Sequence, residues 1–175
     1  MQAGSMFLID ANCLIAPFNK YYAFDLVPQF WVWMEEKVID GKIVILDKIY
    51  GELYNVTRED ELSRWIKRLA PYMMKHEDQA IIVNYGVVLQ YVETSGHYTQ
   101  RALNEWSNEK VADPWLIACA ITHKCTIVTF EQPDNKTQNN WKSKNPKIPD
   151  VGQFFGVEVV DLFEMMRSLG FKSSR

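Results

Sequence analysis

Four acidic residues stand at the edges of predicted secondary-structure elements: Asp10, Glu52, Asp113 and Glu131. Asp10 follows the apolar run Phe7–Ile9 directly, so a buried strand would deliver its carboxylate to the rim of a sheet. Two bare carboxylates about 4 Å apart repel by about 4 kcal/mol at an effective dielectric of 20. A cluster of four is therefore favoured when Mg²⁺ or Mn²⁺ is bound, or when some acids are protonated. A metal-bound cluster of this kind can activate water for in-line displacement at a phosphodiester.

Each of the four acids also has an ordinary structural explanation. Asp10 is a plausible turn residue, Glu52 a solvated helix position and Glu131 a loop acid. Asp113 precedes Pro114, and an Asp-Pro pair commonly starts a helix without any ligand. The order of the four acids along the chain and their common position at the ends of predicted secondary-structure elements favour a shared site.

Two polar residues accompany the acids. Asn12 lies two residues beyond Asp10 and could orient a water or a ligand through its amide. Thr129, at the end of a later apolar run, could do so through its hydroxyl. The three histidines share no metal-ligand spacing, which argues against a zinc site.

Strands and helices alternate along the chain without hairpin signals, which predicts a parallel sheet covered by helices. The predicted fold class is α/β, a three-layer αβα sandwich with a mostly parallel sheet of four to five strands. The predicted strands are Phe7–Ile9, Ile43–Leu46, Thr126–Thr129 and Val157–Val160. The main predicted helices are Asp25–Gly41, Glu59–His76, Ala80–Val92, Gln100–Ser107, Asp113–His123 and Leu162–Leu169. Asp47 is predicted to cap a short helix that carries Glu52, and 132–150 is predicted to be a loop.

The chain has 175 residues, 47% of them hydrophobic, and a formal net charge of −3. This composition suits one globular domain and argues against a protein that coats nucleic acid through bulk charge. We expect residues 1–5 to be an expression-tag remnant, 6–170 a single domain and 171–175 a tail. No apolar run approaches a membrane span, and three scattered cysteines suit a reducing environment, so a cytoplasmic location is expected.

Several segments together resemble the PIN domain family. They are Asp10-Ala11-Asn12, the helix-borne Glu52, the stretch from Ala112 to Ala120, and Val128-Thr129-Phe130-Glu131. The resemblance runs from about Met6 to about Leu169. It implies an αβα sandwich whose acids bind Mg²⁺ or Mn²⁺ and cleave RNA. Many small prokaryotic PIN proteins are VapC-like toxins of type II toxin–antitoxin pairs, and this length suits them.

Residue by residue, Asp10, Glu52 and Asp113 match the three acids that hold the metal in PIN domains. Glu131 falls where many members have an aspartate, so ligation through water is expected there, with Asp134 as a substitute. The resemblance thus implies a metal-dependent endoribonuclease with an RNA substrate and an antitoxin protein as partner. A homodimer is a further expected partner, and no membrane is expected.

Basic residues and large aromatics indicate where partners would bind. The candidate RNA-binding residues are Arg58, Arg64, Lys67, Arg68, Lys142, Lys144 and Trp141. Trp33 points away from the predicted core face of its helix, and we hypothesise that it lies at a dimer or antitoxin interface.

Three other functions compete with the endoribonuclease. The first is a non-catalytic PIN-type module that binds RNA or a protein. The second is an aspartyl phosphatase, which would usually carry a second Asp where this chain has Asn12. The third is a phosphoryl-accepting receiver domain, which would need paired acids after the first strand and a late lysine.

Overall fold

The computed structural model describes residues 6–54, 59–134 and 142–172. Four parallel strands form one sheet, in the order β2-β1-β3-β4. They are β1 (Phe7–Ile9), β2 (Ile43–Ile45), β3 (Thr126–Val128) and β4 (Val159–Val160). Every residue of β1, β2 and β3 is buried, as the unbroken apolar sequence of β1 predicts for a parallel strand covered on both faces. The predicted three-layer αβα sandwich is confirmed.

Helices connect the strands and cover the sheet. In chain order they are α1 (Asn12–Ala16), α2 (Pro28–Ile39), α3 (Tyr50–Leu53), α4 (Glu61–Leu69), α5 (Gln79–Thr94), α6 (Gln100–Trp106), α7 (Asp113–His123), α8 (Ile148–Phe154) and α9 (Leu162–Ser168). A π-helical turn (Pro17–Tyr21) follows α1, and 3-10 turns occur at Asp47–Ile49 and Ala70–Tyr72. Within the described residues, no helix is long and apolar enough to cross a membrane.

The strand order places a topological switch point between β1 and β3. From β1 the chain moves outward to β2 on one side, and it then returns to β3 and β4 on the other side. In open α/β sheets such a reversal leaves a crevice beyond the carboxyl ends of the two strands, where ligands bind. Asp10 directly follows β1, and Thr129 directly follows β3.

The helix predictions agree best with the structure where an apolar pattern coincides with a residue that typically starts or ends a helix. Helix α7 has the predicted bounds, Asp113–His123. Pro28 opens α2, and Gly41, with φ +68°, follows the end of that helix. The predicted apolar stripe of α4 is buried: Leu62, Trp65, Ile66, Leu69 and, beyond the helix, Met73.

Four local predictions are wrong. Helix α4 ends at Leu69 instead of His76, because Pro71 cannot continue an α-helix and a 3-10 turn replaces it. Asp25 does not cap α2, whose N-cap is Val27. Asp47 caps no helix; its carboxylate accepts the backbone N–H of His76 at 3.1 Å. The predicted loop 132–150 runs into α8, which begins at Ile148.

The interface hypothesis for Trp33 now has an intramolecular alternative. Trp33 is half-buried, and its ring meets Phe171 edge-on, with centroids 5.0 Å apart. Phe171 also contacts Phe30 at 6.1 Å between centroids. The segment after α9 therefore covers this side of α2, and a partner at Trp33 stays a prediction.

Candidate metal centre

The four predicted acids line one pocket at the carboxyl ends of β1 and β3. This acidic pocket has a volume of about 370 Å³. The residues that line it are Asp10, Asn12, Ile15, Ala16, Asn19, Lys20, Glu52, Asp113 and Glu131. The acids come from separate parts of the fold: the end of β1, helix α3, the start of α7 and the segment after β3. The fold thus brings together residues that are up to 121 positions apart in the sequence.

Register between the two central strands sets the position of Asp10. Ile9 pairs with Val128, and the Asp10 N–H donates to the Val128 carbonyl at 2.9 Å. Thr129 directly follows β3, and its hydroxyl donates to Asp10 Oδ2 at 2.8 Å. Asp10 is only 6% exposed, so this hydrogen bond fixes a nearly buried carboxylate.

Asn12 ties the ends of the two strands together. Its Nδ2 donates to Asp10 Oδ2 at 2.6 Å and to Thr129 Oγ1 at 3.0 Å. Its Oδ1 accepts the Phe130 N–H at 3.0 Å, and Thr129 Oγ1 also accepts the Glu131 N–H at 3.0 Å. Both polar atoms of the Asn12 amide form hydrogen bonds, and the Thr129 hydroxyl both donates and accepts. These bonds hold the Asp10 carboxylate in one orientation.

Burial and mutual repulsion raise the pKa of three of the acids. The pKa of Asp10 rises to about 6, mainly through burial, with a further contribution from the charge of Glu131 and an opposing one from the Thr129 hydrogen bond. The pKa of Asp113 rises to about 7, through burial first and then through the charges of Glu131, Asp10 and Glu52. Partial burial and the charge of Asp10 raise the pKa of Glu52, although Glu52 lies exposed at the pocket mouth. Ionisation of these three acids in the folded protein therefore costs free energy.

Helix capping does not explain Asp113. Asp113 is the first residue of α7, the N-cap is Ala112, and no side chain caps this helix end. Its carboxylate instead lines the acidic pocket, where it interacts with the other three acids. The ordinary explanation for an Asp-Pro pair therefore fails at this position.

Glu131 is held differently from the other acids. Its Oε1 accepts the Lys147 ammonium at 2.6 Å, and its Oε2 accepts the Ile148 N–H at 2.9 Å. The ion pair is largely shielded, with the Glu131 and Lys147 side chains 18% and 28% exposed. Asp134, the suggested substitute, does not line the acidic pocket; it accepts the Ser143 hydroxyl at 3.0 Å, and its N–H donates to Asp150 at 2.8 Å.

A family model decides where this chain belongs. Residues 7–173 match the model of a domain of unknown function, DUF4411. The chain belongs to the DUF4411 family. No curated protein and no solved structure matches it. The DUF4411 match names no activity, so the resemblance to PIN domains stays a prediction.

The acidic pocket of this DUF4411 chain fits a hard cation by the chemistry of its donors. All four charged ligand candidates are carboxylates, and Mg²⁺ and Mn²⁺ prefer oxygen ligands. In the described ranges, however, no three His, Cys, Asp or Glu side chains are grouped closely enough to hold a metal ion. Mg²⁺ commonly binds one or two carboxylates and keeps several waters, so a complete protein cage is not needed. Asp10 and Asp113, whose pKa values burial and neighbouring charges raise to about 6 and about 7, are the best candidates.

In this DUF4411 chain, none of the predicted RNA-binding residues that the structure describes lines the acidic pocket. Arg64, Lys67 and Arg68 are exposed on α4, where Lys67 pairs with Glu59 at 3.8 Å and Arg68 with Glu35 at 3.1 Å. Lys142 and Lys144 are exposed before α8, and neither lines the pocket. Arg58 and Trp141 lie outside the described residues.

Three polar residues at or beside the pocket are not among the site residues predicted from the sequence. Asn19 and Lys20 line the pocket from the π-helical turn, and Lys147 reaches Glu131 from the residue before α8. No sequence pattern distinguishes a π turn from an α-helical one, so Asn19 and Lys20 carried no signal. For Lys147 a signal was present, since Pro149 in the first turn of α8 marks a helix start beside it.

Proposed function

We propose that this DUF4411 chain is a metal-dependent endoribonuclease that hydrolyses RNA phosphodiester bonds. The observation that carries the proposal is the convergence of Asp10, Glu52, Asp113 and Glu131 on one pocket at the switch point of the sheet. The raised pKa values of Asp10 and Asp113 add support: burial raises them first and neighbouring acids second, and a divalent cation would offset both effects. The resemblance to PIN domains supplies RNA as the substrate.

The side chains have distinct roles in this proposal. Asp10 and Asp113 hold Mg²⁺ or Mn²⁺, and Asn12 and Thr129 keep the Asp10 carboxylate in place. Glu52, the exposed acid, lies on the solvent side, from which the RNA would approach. Glu131 adds negative charge while it anchors Lys147. The bound ion would supply Lewis-acid activation of water and would neutralise charge on the phosphate.

The resemblance to PIN domains also supports a proposal for the biological role of the chain and for its partners. We propose that the chain acts in the cytoplasm as the toxin of a type II toxin–antitoxin pair, with an antitoxin protein and a second copy of itself as partners. The DUF4411 match does not bear on these partners.

A non-catalytic module that binds RNA or a protein is the second candidate. Two observations favour it: both Glu131 oxygens are engaged by Lys147 and Ile148, and the described residues contain no ready-made group of three metal ligands. Four acids lining one pocket argue against it, because a pure binding surface for an anionic RNA gains nothing from their repulsion.

A cleavage assay separates the two candidates. End-labelled single-stranded RNA and DNA of one sequence are incubated with the protein and Mn²⁺, Mg²⁺ or EDTA. We expect cleavage of RNA with either ion and none with EDTA, because water activation needs the metal. Intact RNA under every condition, together with measurable RNA binding, would favour the non-catalytic module. Cleavage of DNA alone would keep the metal chemistry and exclude the ribonuclease.

A further inference from the structure

Lys20 is a cation on the wall of a pocket lined by carboxylates. It is exposed, and it lies with Asn19 among the residues that line the acidic pocket. Among the described residues, Lys20 has no acidic partner within ion-pair distance. Lys147 is committed to Glu131 at 2.6 Å. Lys20 thus shares the pocket with the acids while its charge stays available.

The backbone around Lys20 has an unusual geometry. Pro17–Tyr21 forms a π-helical turn, closed by a hydrogen bond of 2.8 Å from the Tyr22 N–H to the Pro17 carbonyl. Such turns are rare and are frequently found at functional sites. A π-helical turn contains more residues than an α-helical turn, and this changes the direction of the side chains within it. Here these side chains include Asn19 and Lys20.

Aromatic packing anchors this turn to α2. The Tyr22 carbonyl accepts the Trp31 indole N–H at 2.6 Å. Phe18 meets Phe24 edge-on, and Phe24 stacks on Trp31, with ring centroids 5.9 and 4.1 Å apart. Because Trp31 is only 2% exposed, both ends of the turn are tied to the core. Lys20 is therefore presented from a fixed backbone even though its side chain is exposed.

We propose that Lys20, assisted by the amide of Asn19, binds a backbone phosphate of single-stranded RNA beside the bond to be cleaved. The inference rests on the proposed function, since it takes the acidic pocket as the cleavage site. Carboxylates repel an approaching phosphodiester, and a bound ion offsets that repulsion only at the scissile group. A lysine on the pocket wall offsets it for a neighbouring phosphate. Lys20 is in this sense a substrate-binding residue that sets how the strand enters.

The test measures RNA binding separately from cleavage. Fluorescence anisotropy of a labelled single-stranded RNA is recorded over a KCl series, with Ca²⁺ in place of Mn²⁺, for the wild type, Lys20→Ala, Lys20→Arg and Lys42→Ala. Lys42 is an exposed lysine outside the pocket and serves as the matched control. Loss of one phosphate contact should reduce the slope of log K against log [KCl] by about 0.7. Steady-state cleavage with Mn²⁺ is measured for the same four proteins.

We expect Lys20→Ala to weaken binding about tenfold at low salt, to lower the salt slope and to raise the KM for RNA while kcat changes little. Lys20→Arg should keep most of the binding, and Lys42→Ala should match the wild type. Wild-type affinity and slope in Lys20→Ala, or a wild type that binds no RNA, would overturn the inference. Binding that depends on Lys20 without any cleavage would instead refute the proposed function and leave only the contact between Lys20 and an RNA phosphate standing.

Discussion

Replacing Asp10 by asparagine is expected to abolish metal-dependent RNA cleavage and to leave the fold intact. Asparagine keeps the shape of the side chain, and its carbonyl oxygen can still accept from Thr129 and Asn12, which now donate to Asp10 Oδ2. What it removes is the negative charge that would bind the ion. Loss of residues that merely orient metal ligands costs about 10–100-fold, so loss of a ligand should cost at least about 100-fold.

The control for this variant is Asp25→Asn, which makes the same chemical change at an exposed acid outside the acidic pocket. Cleavage rates, circular dichroism spectra and thermal midpoints are measured for both variants and the wild type. Asp10→Asn should melt at or above the wild-type temperature, because burial raises the pKa of Asp10 to about 6 and its ionised form is therefore unfavourable in the fold. Wild-type cleavage by Asp10→Asn would remove Asp10 from the chemistry.

Replacing Asp113 by asparagine is expected to change how stability depends on pH. The pKa of Asp113 rises from an ordinary 3.8 to about 7 in the folded protein, chiefly through burial. Between these values the folded state holds a proton that the unfolded state has lost. The free energy of unfolding should therefore fall as the pH rises from about 4 to about 7. In Asp113→Asn this contribution is absent, so the fall should be smaller.

The difference in the free energy of unfolding between Asp113→Asn and the wild type is expected to be largest above pH 7. There Asp113→Asn should be more stable than the wild type by a few kcal/mol, roughly 1.4 kcal/mol for each unit of pKa shift, whereas the two should be similar near pH 4. Added Mn²⁺ should raise the free energy of unfolding of the wild type but not that of the variant, because an ion that binds only the folded state stabilises it. Urea unfolding at pH 4.5, 6 and 8, with and without Mn²⁺, measures both effects. Parallel stability curves for the two proteins would contradict the raised pKa of Asp113.

The parts of the fold that could be predicted from sequence are those with strong local signals. β1 is a short apolar run that ends at an acid, and α7 has a proline in its first turn, so their bounds match. The parallel sheet followed from strands that alternate with helices. Because parallel strands share one carboxyl edge, the convergence of Asp10, Asp113 and Glu131 could be anticipated as well.

The rest depended on contacts that no local pattern encodes. The engagement of Glu131 by Lys147 joins residues 16 positions apart across a segment that was predicted to be a loop. The π turn that presents Lys20 packs through Phe18 against Phe24, which stacks on Trp31, and no local pattern predicts these contacts. The exact separation of the carboxylates, which determines whether two or three can reach one ion, is likewise a property of tertiary packing.

The central claim is that the acidic pocket binds a divalent cation. The most direct test is a crystal structure from crystals grown with, or soaked in, Mn²⁺, with anomalous diffraction recorded near the manganese edge. We expect an anomalous peak in the acidic pocket, within coordination distance of carboxylate oxygens of Asp10 and Asp113, with water completing the coordination. An empty pocket at millimolar Mn²⁺ and neutral pH, or an ion bound only elsewhere, would contradict it.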